Sequence, residues 1–542
     1  MQVLFGLRPA LRQRVPENTV LIVPSADDWN DFGLRTRIDY LIRIQEADPV
    51  ATSGHIGFLD KEGVSRGSEQ LVKIVEESGK QMVSAGSKHR FFTMLPDMEA
   101  YRILVRDFGV EDASTALGGT NDLVALNEFS PRSELLESAT RSDVFTSSFM
   151  RSSETFFAFK NAGSILRGLS EEQVGVLSRS LAIRFRMAGR ENDHDLAFHF
   201  DHDGALPKRI AVVIGKNGVG KSQTLGRIAR AALNGSGDLT DGTENGRPLI
   251  NRLLAFAPTN EAESVFPSEK RKRPRIWYQR YSLNRSRRAR RNDYVSDLVV
   301  QLARSPETIG EVSRWRIFLK AVGALSEPGQ IHLVTTASST SSPTFISLTE
   351  VAKGSEQRKL ERFASIDLKK EPLRLVENKG YPLSSGEISF LKFAAQASLT
   401  IENGSLLLLD EPETHLHPNF ISRFVSLLNR LLELTGSAAI IATHSVYFVK
   451  EVFREQVSVL RIDDEGAVQV DRPLLRTFGA DVGAISYFVF GEDEPSGLAE
   501  EVGKRLLAMH GSWEEIYQQY KDELSLEFLN SLRSASEQGG AV

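Results

Sequence analysis

Eight residues between positions 215 and 222 have the types and spacing needed to bind phosphate. They read Gly-Lys-Asn-Gly-Val-Gly-Lys-Ser, and the glycines allow successive backbone N–H groups to face one anion. Lys221 can reach the β- and γ-phosphates of a nucleotide, and the Ser222 hydroxyl can ligate Mg²⁺. We therefore predict an ATP site with bound Mg²⁺. The residues predicted to bind the nucleotide here are Gly215, Asn217, Gly218, Gly220, Lys221, Ser222 and Gln223.

The segments on either side of this loop suit the same chemistry. An apolar run at 210–214 predicts a strand that leads directly into the loop. Residues 223–232 predict a helix whose N-terminus faces the anion. The alternative, a glycine-rich turn that matches by chance, fits this context poorly.

A second candidate element consists of four leucines followed by two carboxylates, at 406–411. Such a continuous apolar run is typical of a parallel strand buried on both faces. Asp410 at its end would hold Mg²⁺ through water, and Glu411 would orient or deprotonate the attacking water. The alternative is a core strand followed by a solvated acidic turn.

Two further segments complete a recognisable order. Leu383-Ser384-Ser385-Gly386-Glu387 opens an amphipathic helix, and an apolar strand at 438–442 ends in Thr443-His444-Ser445. With all four elements in this order, residues 205–455 resemble the ABC-type ATPases. The resemblance implies an α/β fold: an ABC-type ATPase head with a P-loop mixed sheet, an antiparallel β lobe and helical insertions.

The same resemblance assigns roles to individual residues. Gly386 lies in the signature motif, where this chain has Ser385 for the usual glycine and Glu387 for the usual glutamine. His444 matches the switch histidine that contacts the γ-phosphate, so it joins Glu411 and Lys221 as a predicted catalytic residue. A satisfied histidine at a strand end is the alternative for His444. Because the family's signature closes over ATP bound to another head, Ser385 and Gly386 are expected to act across a homodimer or higher even oligomer.

The run from Asp410 to Pro418 resembles the DEPExxLHP form of RecF, SMC and OLD-nuclease-like ATPases and of bacterial defence ATPases such as the Septu and retron-associated family. The interval between Ser222 and Leu383 is too short for SMC-type arms, and we find no nuclease carboxylate pattern of the TOPRIM kind. The resemblance implies a head that controls a separate effector, such as a nuclease, in anti-phage defence. A RecF-like repair ATPase and an ATP-gated, nucleic-acid-binding scaffold with little turnover are the alternatives.

One motif of the family has no clear counterpart. Asn260 or Glu261, after a predicted strand at 253–257, could replace the glutamine of the family's glutamine loop. Gln279 is a more distant candidate.

Positive charge is concentrated between residues 270 and 291, where no acidic residue occurs. Such a segment could neutralise nucleic-acid phosphates while Trp277, Tyr278 and Tyr281 stack on bases or brace the loop. A solvated loop, or one that binds an acidic protein surface, is the alternative. The basic residues are Lys270, Arg271, Lys272, Arg273, Arg275, Arg280, Arg285, Arg287, Arg288, Arg290 and Arg291.

Composition sets the remaining expectations. The chain has 542 residues and a net charge of -5. It contains no cysteine, which excludes thiol chemistry and disulfides. We expect a cytoplasmic location without a membrane partner. Three histidines and four aspartates at 193–203 suggest a solvated hairpin more than a metal site. We predict four regions: a β lobe of the ATPase head at 1–60, a mostly helical insertion at 61–190, an ATPase core at 191–455 with a basic insertion at 260–375, and a C-terminal helical region at 456–542.

Overall fold

The computed structural model divides the chain into two compact units, Met1–Ala480 and Asp481–Val542. The described residues are 1–27, 33–45, 47–60, 65–86, 89–168, 178–187, 192–202, 204–243, 246–258, 265–269, 275–283, 294–310, 312–324, 327–336, 345–377, 379–414, 418–463, 466–490, 497–510 and 512–539.

The first unit begins with a seven-stranded sheet of its own, which we call the N-terminal sheet. Its order is β5-β4-β3-β2-β1-β6, with β7 paired to β4; β1 and β2 are parallel and the other neighbours antiparallel. The alternation of buried and partly exposed residues along β3 is that of a strand with one face on a core. The strands are β1 (Gln2–Gly6), β2 (Thr19–Pro24), β3 (Arg37–Arg43), β4 (Val50–Leu59), β5 (Ser65–Arg66), β6 (Met82–Ser84) and β7 (Phe91–Met94).

Eight helices accompany the N-terminal sheet and share its main core. The core is rich in phenylalanine, and Phe5, Phe92 and Phe149 are fully buried in it. Side chains at Asp97 and Asp122 cap α2 and α4 by accepting backbone N–H bonds. The helices are α1 (Ser68–Ser78), α2 (Met98–Phe108), α3 (Val110–Gly119), α4 (Leu123–Phe129), α5 (Glu134–Thr140), α6 (Asp143–Ser147), α7 (Ser153–Asn161) and α8 (Gly163–Leu166).

A second seven-stranded sheet, the nucleotide sheet, lies further along the same unit. Its order is β13-β12-β20-β21-β10-β22-β23, and every neighbouring pair is parallel except β22 and β23. Because parallel strands end at the same edge, the loops after β10, β20 and β21 emerge together. The strands are β10 (Ile210–Gly215), β12 (Arg252–Ala257), β13 (Trp277–Ser282), β20 (Leu406–Asp410), β21 (Ala438–Thr443), β22 (Val457–Ile462) and β23 (Val468–Asp471).

Helices cover the nucleotide sheet. On one face, Leu225 and Ile228 of α9 (Lys221–Asn234) share a core with alternate residues of the central strands. Helices α14 (Ser385–Thr400) and α15 (Pro418–Thr435) pack through phenylalanines, with Phe393 in edge contact with Phe256 of β12 at 4.8 Å and close to Phe424 at 5.0 Å. A short helix, α16 (Val446–Lys450), follows β21.

A small antiparallel sheet contributes to the core under α9. It has the order β11-β8-β9, formed by β8 (Ser180–Arg186), β9 (Asp193–His199) and β11 (Leu239–Thr240). The buried residues of β8 and β9 alternate with exposed ones, as expected for strands with one solvated face.

An insertion separates β13 from α14. It contains a four-stranded antiparallel sheet of order β17-β16-β18-β19 and a two-stranded ribbon, β14-β15. Its elements are α10 (Val295–Arg304), β14 (Thr308–Ile309), β15 (Val312–Ser313), α11 (Arg314–Val322), β16 (Ile331–Val334), β17 (Phe345–Ser347), α12 (Leu348–Val351), α13 (Glu356–Ser365), β18 (Leu373–Val376) and β19 (Lys379–Pro382).

A buried cluster of ion pairs joins the N-terminal helices to the nucleotide sheet and α14. Arg102 of α2 donates to both carboxylate oxygens of Glu402, at 2.9 and 3.2 Å. Arg314 of α11 lies 3.8 Å from Glu402 and donates to the Ser398 and Ile401 carbonyls at the end of α14. We call Arg102, Arg314 and Glu402 the buried ion cluster.

The described residues of the second unit form four helices. Leu506, Ile516 and Leu532 form its small core, with aromatic residues such as Trp513 and Phe528 packed around them. The helices are α17 (Val482–Phe490), α18 (Gly497–Met509), α19 (Trp513–Tyr520) and α20 (Leu526–Gly539). The described residues of the chain include no helix long and apolar enough to cross a lipid bilayer.

The structure divides the chain differently from the four predicted regions. Residues 1–60 pair with β5, β6 and β7 in the N-terminal sheet, and no described strand connects them to the nucleotide sheet. The antiparallel lobe beside the P-loop is instead the β8-β9-β11 sheet, which begins before residue 191. Residues 457–471, predicted within a helical region, form the edge hairpin of the nucleotide sheet. Alternating strands look the same in sequence whichever sheet they join, which is why the partner was misassigned.

Candidate nucleotide-binding site

The phosphate-binding loop connects β10 to α9 at the carboxyl edge of the nucleotide sheet. Lys216, Asn217 and Gly218 are exposed to solvent, whereas Val219 is buried in the core beneath them. Ser222 is half-buried and Gln223 is exposed, both in the first turn of α9. Val219 thus fixes the loop to the core, while the exposed residues lie at a helix N-terminus, where an anion can bind.

Three glycines of the loop are required for different reasons. Gly218 and Gly220 have φ angles of 81° and 99°, a left-handed region that side chains disfavour. At Gly220 a β-carbon would also lie 2.1 Å from Cε of Met187. At Gly215 it would lie 2.3 Å from the Leu460 carbonyl oxygen of the neighbouring strand.

The Lys221 ammonium is held at the base of the loop. Its Nζ donates to the Gly215 and Lys216 carbonyl oxygens, each at 3.0 Å, and the residue is only 5% exposed. Burial lowers the pKa of Lys221, while the carboxylates of Glu411, Glu413 and Asp410 oppose that shift. A cation beside three carboxyl groups is well placed to receive a nucleotide phosphate, although its role stays a prediction.

The two carboxylates after β20 differ in environment. Asp410 is the last residue of the strand and fully buried, and its neighbour β21 separates it from β10 in the sheet. Glu411 is partly exposed and has a φ of 42°, unusual for a residue with a side chain. Its backbone N–H donates to the Ala442 carbonyl at 2.9 Å, which fixes this strained turn against β21.

Glu413 is a site residue that our sequence analysis did not identify. Its Oε1 accepts hydrogen bonds from the Thr443 hydroxyl and from the His444 N–H at 3.0 Å, and it lies 3.2 Å from His444 Nδ1. Burial raises the pKa of Glu413, against these hydrogen bonds and the charge of His444. The second glutamate of the Asp-Glu-Pro-Glu run was the available signal.

His444 lies just beyond the end of β21, with its side chain 52% exposed. Its Nδ1 is 3.8 Å from Glu411 Oε1 as well as near Glu413, so one ring faces two carboxylates. The structure therefore brings His444, Glu411 and Lys221 to one edge of the sheet. His415 and His417 lie outside the described residues.

The signature segment begins α14 with its start open to solvent. Ser384 caps the helix, accepting from the Glu387 N–H at 3.3 Å, and Glu387 accepts in return from the Ser384 N–H at 2.9 Å. Despite partial burial, hydrogen bonds from Ser384 and the Arg374 guanidinium, 2.6 Å away, lower the pKa of Glu387. Ser384 and Ser385 are exposed and Gly386 is half-buried.

Of the three candidates for the glutamine loop, one lies within the described residues. Gln279 lies inside β13, opposite Leu254, and its amide donates to Glu269 at 2.8 Å, so it is a strand residue and not part of a loop. Asn260 and Glu261 lie outside the described residues.

Only Arg275 and Arg280 of the eleven basic candidates lie within the described residues. Arg280 donates its backbone N–H to Glu269 at 2.8 Å, and Arg275 donates its own to the Leu233 carbonyl at 3.0 Å. Lys270, Arg271, Lys272, Arg273, Arg285, Arg287, Arg288, Arg290 and Arg291 lie outside the described ranges.

The aromatic residues among these cations brace the sheet. Trp277 packs under the Arg252 guanidinium at 4.7 Å, and the Tyr278 hydroxyl donates to the Pro267 carbonyl at 3.0 Å. Tyr281 stacks on Phe256 at 5.1 Å and donates to the Thr400 hydroxyl at 2.9 Å. Of the two roles that the sequence left open for them, these contacts favour bracing.

The segment rich in histidine and aspartate forms β9, which pairs with β8, and the residues just after it. His194 is fully buried and stacks on Phe185 at 5.0 Å, whereas His199 is exposed. Within the described ranges, no cluster of three or more acidic or histidine side chains is arranged to hold a metal ion.

Comparisons with known proteins agree with this site. The profile of a family described as "AAA domain, putative AbiEii toxin, Type IV TA system" matches residues 210–450. The chain is 24% identical to protein ea59 of Escherichia phage lambda over 532 residues, covering 93% of this chain and 92% of that protein.

Two other matches are short or weak. UvrABC system protein A of Chlamydia muridarum is 36% identical over 70 residues, which are 13% of this chain and 4% of that protein. A solved structure of a metal-chelate type ABC transporter in an inward-facing conformation covers 54% of this chain and 83% of its own, at 16% identity and a TM-score of 0.25. The loop and the strand order give residues 210–450 an α/β P-loop fold, and this is the region that is similar to the AAA domain of the matching family.

Proposed function

We propose that this protein hydrolyses ATP and dimerises around it, with the P-loop of one copy facing Ser385 and Gly386 of the other. The observation that carries this proposal is the start of α14. Most of that helix is buried from Phe390 onward, yet its first residues are open to solvent and held rigid by the capping box. A preorganised, exposed helix N-terminus is suited to a phosphate supplied by another molecule.

The P-loop has the complementary property. Lys216, Asn217 and Gly218 expose backbone that a bound nucleotide would cover only in part. Since one chain carries one loop and one signature, two copies would form two composite sites. Symmetric pairing of this kind closes as a dimer.

The residues present fit a magnesium ion. Ser222 offers a hydroxyl and Asp410 a buried carboxylate, and hard oxygen ligands are those that Mg²⁺ prefers. When bound with ATP, the ion would neutralise charge on the phosphates. Lys221 would bind the β- and γ-phosphates.

The partly exposed Glu411 carboxylate would position water for attack on the γ-phosphate and accept its proton. His444, held by Glu413, would donate a hydrogen bond to the γ-phosphate. The strained backbone at Glu411 fixes the direction of its side chain before the nucleotide arrives.

Replacement of Glu411 by glutamine tests this proposal. The Glu411→Gln variant should bind ATP, lose most of its hydrolysis and accumulate as a dimer in ATP, because the attacking water is no longer activated. Light scattering after gel filtration, with and without ATP, measures the mass. Glu433→Gln, an exposed surface change, is the control.

Two results would contradict the proposal. A Glu411→Gln protein that stays monomeric in saturating ATP would contradict ATP-dependent dimerisation. A variant with full hydrolysis would remove Glu411 as the catalytic carboxylate, and retained biological activity without hydrolysis would favour the nucleotide-gated scaffold.

We further propose that the dimer regulates a separate effector, such as a nuclease, in anti-phage defence. The matching family's description names a putative toxin of a toxin–antitoxin system. This supports a function in which a toxic activity is regulated. The phage lambda relative, similar along nearly its whole length, supports a role in conflict between phage and host.

Affinity purification during phage infection tests the regulatory role. We expect a partner protein to be retained by the Glu411→Gln dimer, and to be lost with Lys221→Ala, in which we expect ATP binding to be impaired. If deletion sensitises cells to DNA damage and not to phage, the RecF-like alternative replaces this proposal.

Nucleic-acid contact by the basic segment is a separate proposal. The charge of eleven cations without an acidic residue supports it. Glutamine at Arg285, Arg287 and Arg288 should weaken binding of a fluorescent duplex and reduce its salt dependence. Equal binding by variant and parent at several salt concentrations would exclude it.

A further inference from the structure

A polar cavity of about 630 Å³ lies in the N-terminal region, away from the P-loop elements. Its walls come from β3, β4 and the first residues of α2 and α7. Charged side chains of both signs line it, together with several hydroxyls. The charged and titratable residues are Arg37, His55, Asp97, Arg151 and Glu154.

The histidine of this cavity is held in a fixed orientation. His55 Nδ1 lies 3.0 Å from the hydroxyl of buried Thr36, which in turn lies 2.8 Å from the Ser148 hydroxyl. One face of the ring packs on Phe149 at 5.2 Å. A ring fixed on two sides is preorganised in the way that binding sites require.

The hydroxyls are fixed as well. Ser152 caps α7 by accepting from the Thr155 N–H at 3.0 Å, and its oxygen lies 2.8 Å from the Thr155 hydroxyl. Thr155, only 2% exposed, donates to the Pro96 carbonyl at 2.9 Å. The two helix starts are thereby joined to each other, so the cavity floor is rigid.

The carboxylates lie on one side and the guanidinium groups come from other elements. Asp97 caps α2, and burial raises its pKa, against hydrogen bonding and nearby arginines. Burial likewise raises the pKa of Glu154, against the charge of Arg252. Arg37 comes from β3, where its NH1 is ion-paired with Asp27, so a phosphate would have to share this guanidinium with that carboxylate. Arg151 comes from the turn before α7.

We infer that this cavity binds a nucleoside monophosphate. Arginines recognise a phosphate through charge-assisted hydrogen bonds, which Arg37 and Arg151 can supply. Carboxylates accept hydrogen bonds from a ribose diol or an exocyclic amine, for which Asp97 and Glu154 are available. The cavity volume falls within the range of small-molecule sites, and its polar walls suit a hydrophilic ligand.

The site is connected to the ATPase domain through Arg252. Glu154 Oε1 lies 3.5 Å from Arg252 Nε, and Arg252 NH1 donates to the Thr400 carbonyl at the end of α14 at 2.9 Å. A ligand that competes for Glu154 would alter how Arg252 holds the helix that begins with the signature. This coupling step rests on the proposed function, whereas ligand binding does not.

Calorimetry with the full chain tests binding. The probes are the four common nucleoside 5′-monophosphates, with adenosine and inorganic phosphate as fragments. At least one monophosphate should bind, and Arg151→Gln and Arg37→Gln should each weaken it about tenfold or more. Arg141→Gln, an exposed arginine on another helix, should leave the affinity unchanged.

Lys221→Ala separates this site from the P-loop. Binding that survives Lys221→Ala and falls in both cavity variants supports the inference. Binding that is lost in Lys221→Ala and retained in the cavity variants overturns it. So does the failure of every monophosphate to bind, or binding of phosphate alone with equal affinity.

The ATPase rate is a second, independent readout. Monophosphate at a concentration near the parent's Kd should change the rate in the parent and change it much less in Arg151→Gln. If it binds the cavity and leaves the rate unchanged, the coupling through Arg252 is wrong and the site itself stands. An inactive parent protein would count against the proposed function and not against the cavity, because binding is measured separately.

Discussion

At the scale of single residues, the edge of the nucleotide sheet is organised by carboxylates in unequal environments. Asp410 is buried, Glu411 is partly exposed and strained, and Glu413 is buried against Thr443 and His444. Three acidic groups within four positions would repel one another without Lys221 and His444 nearby. Because their environments differ, the three carboxyl groups can have different roles at the site.

Glu413 should act by holding His444. Glutamine at this position keeps a hydrogen-bond acceptor but removes the charge that faces His444 Nδ1 at 3.2 Å. We expect kcat to fall roughly tenfold while the ATP affinity changes little, because a positioning error affects the transition state most. Steady-state kinetics measure both, with Glu433→Gln as the surface control. Unchanged kcat would show that the Glu413 charge does not support His444.

A buried carboxyl group in the N-terminal region should make stability depend on pH. Asp122 is fully buried, caps α4 and accepts from the Tyr101 hydroxyl at 3.0 Å, and burial raises its pKa to about 7. The folded state therefore keeps a proton that the unfolded state has released above its ordinary pKa of about 4. The contribution to stability should fall by about 1.4 kcal/mol per pH unit between roughly pH 4 and 7, and level off above.

Urea unfolding of Asp122→Asn across this pH range checks the effect. The asparagine keeps the cap and cannot ionise, so the variant's stability relative to the parent should rise as the pH increases through that window. Parallel pH profiles for parent and variant would contradict the raised pKa.

At the scale of elements, the start of α14 is the feature on which the composite site depends. The reciprocal bonds between Ser384 and Glu387, with Arg374 on the same carboxylate, fix the first turn without burying it. A serine and a glutamate three positions apart are sufficient to predict the cap from sequence. The tie to Arg374 depends on the β18-β19 hairpin and was not visible there.

Alanine at Ser384 should loosen this turn. Loss of an N-cap costs about 1 kcal/mol of helix stability, and here it would disorder Ser385 and Gly386 where the partner's ATP is proposed to bind. We expect weaker ATP-dependent dimerisation with little change in ATP binding by the monomer. Ser512→Ala removes a similar cap from α19 in the second unit and is the matched control. Equal dimerisation by both variants would show that the first turn of α14 does not lie in the dimer interface.

At the scale of the whole molecule, the buried ion cluster connects the N-terminal helices to the end of α14. The Glu402 side chain is 3% exposed and forms ion pairs with Arg102 and Arg314. Burial opposes its ionisation, but the two guanidinium charges prevail and lower the pKa of Glu402 to about 2. Its contribution to stability should be complete above about pH 4.3, the ordinary value for glutamate, and be lost as the pH falls towards 2.

Glutamine at position 402 should destabilise this unit. Two buried guanidinium groups would lose this carboxylate, while Arg102 keeps Glu99 and Arg314 keeps Glu307. We therefore expect a loss below the roughly 3–5 kcal/mol of a buried charge left with no partner. Chemical unfolding at neutral pH measures the loss, and Glu433→Gln, from an exposed pair worth less than about 1 kcal/mol, is the control. If the two variants lose equal stability, the cluster does not hold the N-terminal helices to the end of α14.

The sequence by itself located the elements that meet at the edge of the nucleotide sheet. The P-loop, the leucine run ending in Asp410 and Glu411, and the strand before His444 are local patterns, and each element forms at its predicted place. Local patterns can be predicted because a glycine's φ, a strand's apolar run or a helix cap depends on neighbours within a few residues.

Only the tertiary structure decided which strands join which sheet and which charges meet. Strands β1 to β4 form a separate sheet, β22 and β23 extend the nucleotide sheet, and Arg102 meets Glu402 across 300 positions. The cavity lined by Arg37, Arg151 and Glu154 likewise combines residues distant in sequence. Such pairings depend on long-range packing, and a single sequence carries no local pattern that specifies them.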